Sequence, residues 1–141
     1  MPREKQYASY RSLAPKKDKT PKYTCMEIQD LQHRKKMLSE HALVCIDLFA
    51  DWCEPCKSVG PQFSKLAQQY NRPGVCLLAK ENVDLELTRD FQITGIPAFI
   101  FYHKGRLVTE DGKQGGVPVA VIGGDLGKVQ QILDKFIPQL K

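Results

Sequence analysis

The sequence predicts an α/β fold with a central sheet flanked by helices, and three observations carry that expectation. Residues 43–49, Leu-Val-Cys-Ile-Asp-Leu-Phe, form a short apolar run of the kind buried on both faces of a sheet. Trp52-Cys53-Glu54-Pro55-Cys56-Lys57 comes just after it and opens a helical pattern, so strand and helix alternate here as they do through most of the chain. Later the alternation stops, and two short runs flank Lys104-Gly105 as the strands of a hairpin do. A chain of 141 residues suits one domain with a single core.

In chain order, residues 1–22 form a basic N-terminal extension. They hold seven Lys or Arg against Glu4 and Asp18, few large apolar side chains, and three prolines that interrupt any helix. The remaining residues, 23–141, contain fourteen bases and fourteen acids, so the formal net charge of +5 belongs entirely to the extension. Alone the extension is expected to stay solvated. Tyr7, Tyr10 and Leu13 at helical spacing support the alternative of an arm that docks on a partner. Tyr23–Met26 reads as an edge strand, and Glu27–Leu38 as a helix with Ile28, Leu31 and Leu38 inward and Arg34-Lys35-Lys36 on the solvated face.

After strand 43–49, Val59, Phe63, Leu66 and Tyr70 mark the inner face of a helix to about Asn71, with Pro61 expected to kink it. Asn71-Arg72-Pro73-Gly74 is a turn, Val75–Lys80 a buried strand, and Asp84 the cap of a helix carrying Leu87 and Phe91. Ala98–His103 and Leu107–Glu110 are the hairpin strands. Asp111 to Val119, with Asp-Gly and Gly-Gly pairs, reads as a protruding loop or extra ribbon. The last helix runs from about Leu126 to Ile137, with Val129, Ile132, Leu133, Phe136 and Ile137 as its apolar stripe.

Two cysteines three positions apart at a strand-to-helix junction imply redox chemistry or metal binding. Position separates their roles. At the helix start, free backbone N–H groups and the positive end of the helix dipole favour a thiolate, lowering the Cys53 pKa below its free value of about 8.5. Pro55 is tolerated there because first-turn N–H groups lack intrahelical partners. Cys56 lies one turn on and faces inward, so Cys53 is the nucleophile and Cys56 the resolving thiol. One Cys-X-X-Cys supplies only two ligands, and His33, His41 and His103 lack zinc-finger spacing, so no metal is expected.

Phe49-Ala50-Asp51-Trp52-Cys53-Glu54-Pro55-Cys56-Lys57 resembles the active-site segment of thioredoxins, and the resemblance spans roughly residues 24–141. It implies the thioredoxin fold, a central mixed β-sheet flanked by helices, over a domain of residues 23–141. The basic extension and a hairpin-loop insertion at 111–119, about ten residues beyond the family pattern, are additions to it. By resemblance, Ile96-Pro97 is the family's turn, with Pro97 cis, facing the cysteines and keeping metals from the thiolates. Asp47 matches the buried aspartate, Lys80 its lysine partner, and Gly123 the glycine beside the substrate groove.

An acid inside an apolar strand is costly, and burial should raise its pKa. With the family match, Asp47 is expected to accept the proton of Cys56; a buried ion pair with Lys80 is the structural alternative. Trp52 offers a flat apolar surface beside Cys53. Glu54 stands where the family usually has glycine. With Pro55 it should tune the pair, its charge disfavouring the thiolate and making the disulfide harder to reduce than in a Glu54→Gly variant.

The expected activity is reduction of protein disulfides by dithiol–disulfide exchange. Partners are disulfide-containing proteins and a thioredoxin reductase or equivalent donor. The alternative is a thioredoxin-fold structural subunit of a larger assembly, docked through residues 1–22 and 111–119. No cofactor is expected beyond the Cys53–Cys56 disulfide, since no phosphate loop or nucleotide fingerprint occurs, and nucleic acid is not an expected partner. No apolar run reaches the length of about 20 residues that spans a membrane, and no apolar signal core follows Met1, so a cytoplasmic location is expected. Five cysteines fit one redox pair plus Cys25, Cys45 and Cys76 as buried packing thiols.

Overall fold

The computed structural model describes residues 25–85 and 94–140, with the side chains of 85, 139 and 140 left out of the account. The elements are β1 (Met26–Ile28), α1 (Leu31–Glu40), β2 (Leu43–Phe49), α2 (Glu54–Tyr70), β3 (Cys76–Asn82), a 3₁₀ turn (Val83–Leu85), β4 (Ala98–His103), β5 (Arg106–Leu107), β6 (Ala120–Ile122) and α3 (Leu126–Phe136), which passes into a 3₁₀ turn at Ile137–Leu140. Strand order is β1-β3-β2-β4, with β5 and β6 both on the outer edge of β4. β1, β3 and β2 are parallel, whereas β4 is antiparallel to β2 and to both edge strands.

β2 is central, and six of its seven residues are buried, as its unbroken apolar run requires. Each sheet face covers its own core. Leu43, Cys45, Leu78, Phe99 and Phe101 pack against Val59, Phe63 and Leu66 of α2 and Val129 and Leu133 of α3. Val44, Ile46, Leu48, Leu77 and Ile100 pack on the other side with Met37 of α1. The Phe63 and Phe99 rings meet at 5.2 Å between centroids.

The first strand and helix depart from expectation. β1 lies at Met26–Ile28 instead of 23–26, and α1 starts at Leu31, not at Glu27. Met26 and Ile28 alternate in register with Ala79 and Glu81, and Asp30 stops the strand by capping the helix through its side chain, 2.8 Å from the His33 N–H. Ile28 to Leu31 thus mimicked a helical spacing across an element boundary; Leu31 is in fact exposed. Arg34 is not on a solvated face, because its guanidinium binds Glu81 at 2.9 Å.

β3 runs two residues past Lys80, since Arg34 satisfies the charge that made Glu81 look like a strand end. α2 continues through Pro61 without a break. Asp84 sits inside the 3₁₀ turn. The helix expected after it, with Leu87 and Phe91, lies outside the described residues, as does the extension 1–22.

The hairpin turn Lys104-Gly105 has φ of +53° and +82°, the left-handed pair that a two-residue turn needs. Its second strand is shorter than expected. Thr109 pairs with Pro118, Glu110 donates to Val117, and Val119 donates to Val108. The insertion is therefore a small ribbon that interrupts the edge of the sheet between β5 and β6.

Candidate active site

Chain direction alone delivers the cysteines to one place. β2 ends at Phe49, residues 50–52 turn, and Cys53 becomes the N-cap of α2 with extended backbone (φ −95°, ψ 108°). Its Sγ accepts the Cys56 N–H at 3.2 Å, satisfying a first-turn donor that has no partner within the helix. Pro55 lies in the first turn, where its missing N–H costs nothing. Cys53 and Cys56 form a disulfide, Cα to Cα 5.3 Å. Both are buried and cluster with Ala50 against Phe49, Val83 and Ile96.

Ile96 packs against that cluster from a turn whose Ile96–Pro97 peptide is cis. Gly123, at φ +99°, donates its N–H to the Pro97 carbonyl at 2.7 Å, and β6 pairs Ile122 with Ala98. A backbone at that φ suits glycine, and through that bond Gly123 holds the Pro97 turn. Trp52 is 67 % exposed, and its indole N–H donates to the Asp84 carboxylate at 3.1 Å. Glu54 is exposed and pairs with Lys57 one turn on, at 3.2 Å. Its charge is thus partly answered on the helix surface, which weakens the effect on the sulfurs expected from sequence.

Behind the disulfide lies a cavity of about 280 Å³ lined in part by Cys25, Asp47, Cys56, Ser64 and Lys80. Asp47 is 3 % exposed, and its Oδ1 has no hydrogen-bond partner. Burial pushes its pKa up to about 7, while the Lys80 charge pulls the other way. Lys80 stands beside Asp47 in the β2–β3 register, with Nζ 5.2 Å from the centre of the Phe49 ring. The arrangement is a lone acid under the influence of a nearby ammonium, and it differs from the directly bonded ion pair weighed as the structural alternative.

The remaining thiols, Cys25, Cys45 and Cys76, are buried, and burial raises the pKa of each. Two contacts escaped the sequence reading. Cys25, which precedes β1 and donates to the Leu78 carbonyl, lines the Asp47 cavity, and Asp84 anchors the exposed tryptophan. Asp84 was read as a helix cap and gave no sign of this contact, and for Cys25 there was no signal either.

A disulfide held at a helix N-terminus, with a solitary buried acid behind it and a cis-proline turn in front, defines a class of dithiol–disulfide proteins built on this sheet. Within that class the sequence profile of the thioredoxin family matches residues 24–122, most of the chain, and the chain belongs to that family. A thioredoxin-like protein of Fusarium culmorum is 37 % identical over 81 residues, covering 56 % of this chain and 67 % of its own length. A thioredoxin of Neurospora crassa is 27 % identical over 111 residues, covering 77 % of this chain and 84 % of its own. Among solved structures, a reduced thioredoxin of Schistosoma mansoni superposes with a TM-score of 0.64 at 29 % identity, covering 80 % of this chain and 98 % of that one. The thioredoxin fold is the fold of this chain.

Proposed function

We propose that this chain reduces protein disulfides by dithiol–disulfide exchange through Cys53 and Cys56. The observation that carries this is the disulfide at the start of α2, one sulfur receiving a helix N–H and the other bordering the cavity of Asp47. In the reduced protein the Cys53 thiolate attacks one sulfur of a substrate disulfide, and the other substrate sulfur leaves as a thiolate. Cys56 gives its proton to ionised Asp47 and attacks the Cys53 sulfur. That closes the Cys53–Cys56 disulfide and releases the second substrate thiolate, with two electrons passed to the substrate. Lys80 favours the ionised form of Asp47. Trp52, Ile96, Pro97 and Gly123 form the face on which an extended substrate segment would lie.

The electrons reside in the cysteine pair, so the cycle needs no bound cofactor, only a donor that reopens the disulfide. A relative in Mycobacterium leprae is a bifunctional thioredoxin reductase/thioredoxin, which supports a reductase of that kind as donor and disulfide-containing proteins as substrates. No helix among the described residues is long and apolar enough to cross a membrane. Nothing among them favours the assembly-subunit reading; residues 1–22 lie outside them, and the 111–119 segment is accounted for as a ribbon.

Insulin reduction by the isolated chain, driven by a small dithiol, checks the proposal. The wild type should accelerate precipitation of the insulin B chain, and Cys53→Ser should return the rate to background. Equal rates for the two proteins would end this reading.

A further inference from the structure

A second cavity, of about 450 Å³, lies at the other end of β4, where the inserted ribbon folds back toward the β4–β5 turn and the C-terminal end of α3. β4 runs from Ala98, next to Pro97, to His103 in the wall of this cavity, so some 17 Å of strand, roughly, separates it from the disulfide. Its volume falls within the range of roughly 300–1,000 Å³ typical of small-molecule sites. Arg106, Lys113, Gln114, His103 and Phe136 are among the residues that line it, and no acid is. Among the described residues neither the Arg106 nor the Lys113 side chain has a carboxylate partner.

Cations on a concave wall without counter-charge lower the potential energy of an anion there, and a guanidinium offers paired N–H donors that match a carboxylate or phosphate. The apolar side of the wall is equally specific. The His103 and Phe136 rings lie 4.9 Å apart between centroids, and His103 Nε2 is buried without a partner. Burial and the Lys104 charge hold the imidazole below its ordinary pKa, which favours the neutral ring, so Arg106 and Lys113 are the cations of the wall.

The loop that brings Lys113 to the cavity is braced. Thr109 Oγ1 donates to the Lys113 carbonyl at 2.9 Å, and the Asp111 carboxylate accepts the Lys113 N–H at 2.9 Å. A ligand would therefore find the loop already ordered, which reduces the entropy lost on binding.

We propose that this cavity binds a small organic oxyanion, a carboxylate or phosphate ester bearing a flat apolar group: the charge at Arg106 and Lys113, the flat group against Phe136. The site stands on residues remote from the cysteines and does not depend on the redox reading.

The full-length chain, isotope-labelled, would be titrated by NMR with phenyl phosphate and with benzoate, and with phenol as the uncharged control. At least one of the two anions should shift the Lys113 and Gln114 amides and the Phe136 ring with saturation below about 10 mM, and raise the His103 pKa. The tighter of the two identifies the preferred oxyanion. Arg106→Ala and Lys113→Ala, both of exposed residues and checked by unchanged spectra elsewhere, should each weaken binding about fivefold or more. The proposal is overturned if neither anion gives saturable shifts at these residues, if phenol binds as tightly as the anions, or if both substitutions leave the affinity unchanged.

Discussion

Asp47 shows what one side chain can cost. Its pKa is raised from an ordinary carboxylate value to about 7 by burial, so the folded protein holds the proton more tightly than the unfolded chain does. Below the unfolded pKa the acid is neutral in both states and the penalty vanishes. As pH rises toward 7 the unfolded chain ionises first, and stability falls until the folded form ionises too. In the oxidised protein, Asp47→Asn should therefore be more stable than the parent by about 2–4 kcal/mol at pH 8, with the gain shrinking toward zero near pH 4. Urea unfolding at several pH values measures it; a gain independent of pH would show that the carboxyl is not the cause. The same variant should lose the rise in insulin-reduction rate through pH 7 that ionisation of Asp47 provides. Glu54 is the opposite case, exposed and paired with Lys57. Exposed pairs contribute at most about 1 kcal/mol, so Glu54→Gly should raise the reduction potential by no more than about 20 mV, measured against glutathione. A lowered potential would mean that the carboxylate does not oppose the thiolate. That Asp47 would be buried was legible in its apolar neighbours. The lysine across the sheet was legible only through resemblance, and the missing direct bond between them not at all.

At the scale of elements, α1 is tied to the sheet by a bond that no local pattern announces. Its buried apolar contribution is small, Met37 being the one buried residue of the helix, while Arg34 reaches Glu81 of β3, which is 0 % exposed. Removing one partner strands a charge in the core. Arg34→Met should cost about 3–5 kcal/mol at pH 7, and adding Glu81→Gln should recover much of that, because the uncompensated carboxylate is then gone. Thermal unfolding of the single and double variants decides it; a double variant as unstable as the single would place the cost in lost packing. The helix was misplaced from sequence for the same reason that this bond was missed. Residues 26–31 carry both a strand's alternation and a helix's spacing, and only pairing with β3 settles which one forms. β2 was legible to the residue, since a strand buried on both faces shows its limits in its own composition.

For the whole molecule, charge and chemistry are partitioned. The redox centre belongs to a region with as many acids as bases, and the entire excess of +5 is carried by residues 1–22. A chain lacking those residues should elute from a cation exchanger well before the full-length protein at pH 7. Unchanged retention would mean that the exchanger reads a local patch on the remaining domain. By itself the amino-acid order determined the family, the central strand and the pair of cysteines at a helix start, because each of these is written within a few adjacent residues. Tertiary structure alone decided that Asp47 stands without a bonded partner, that Arg34 meets Glu81, and that residues 109–118 turn back as a ribbon bordering a second cavity. Those outcomes depend on burial and on partners distant along the chain, and side-chain environment is a property of packing that no local stretch contains.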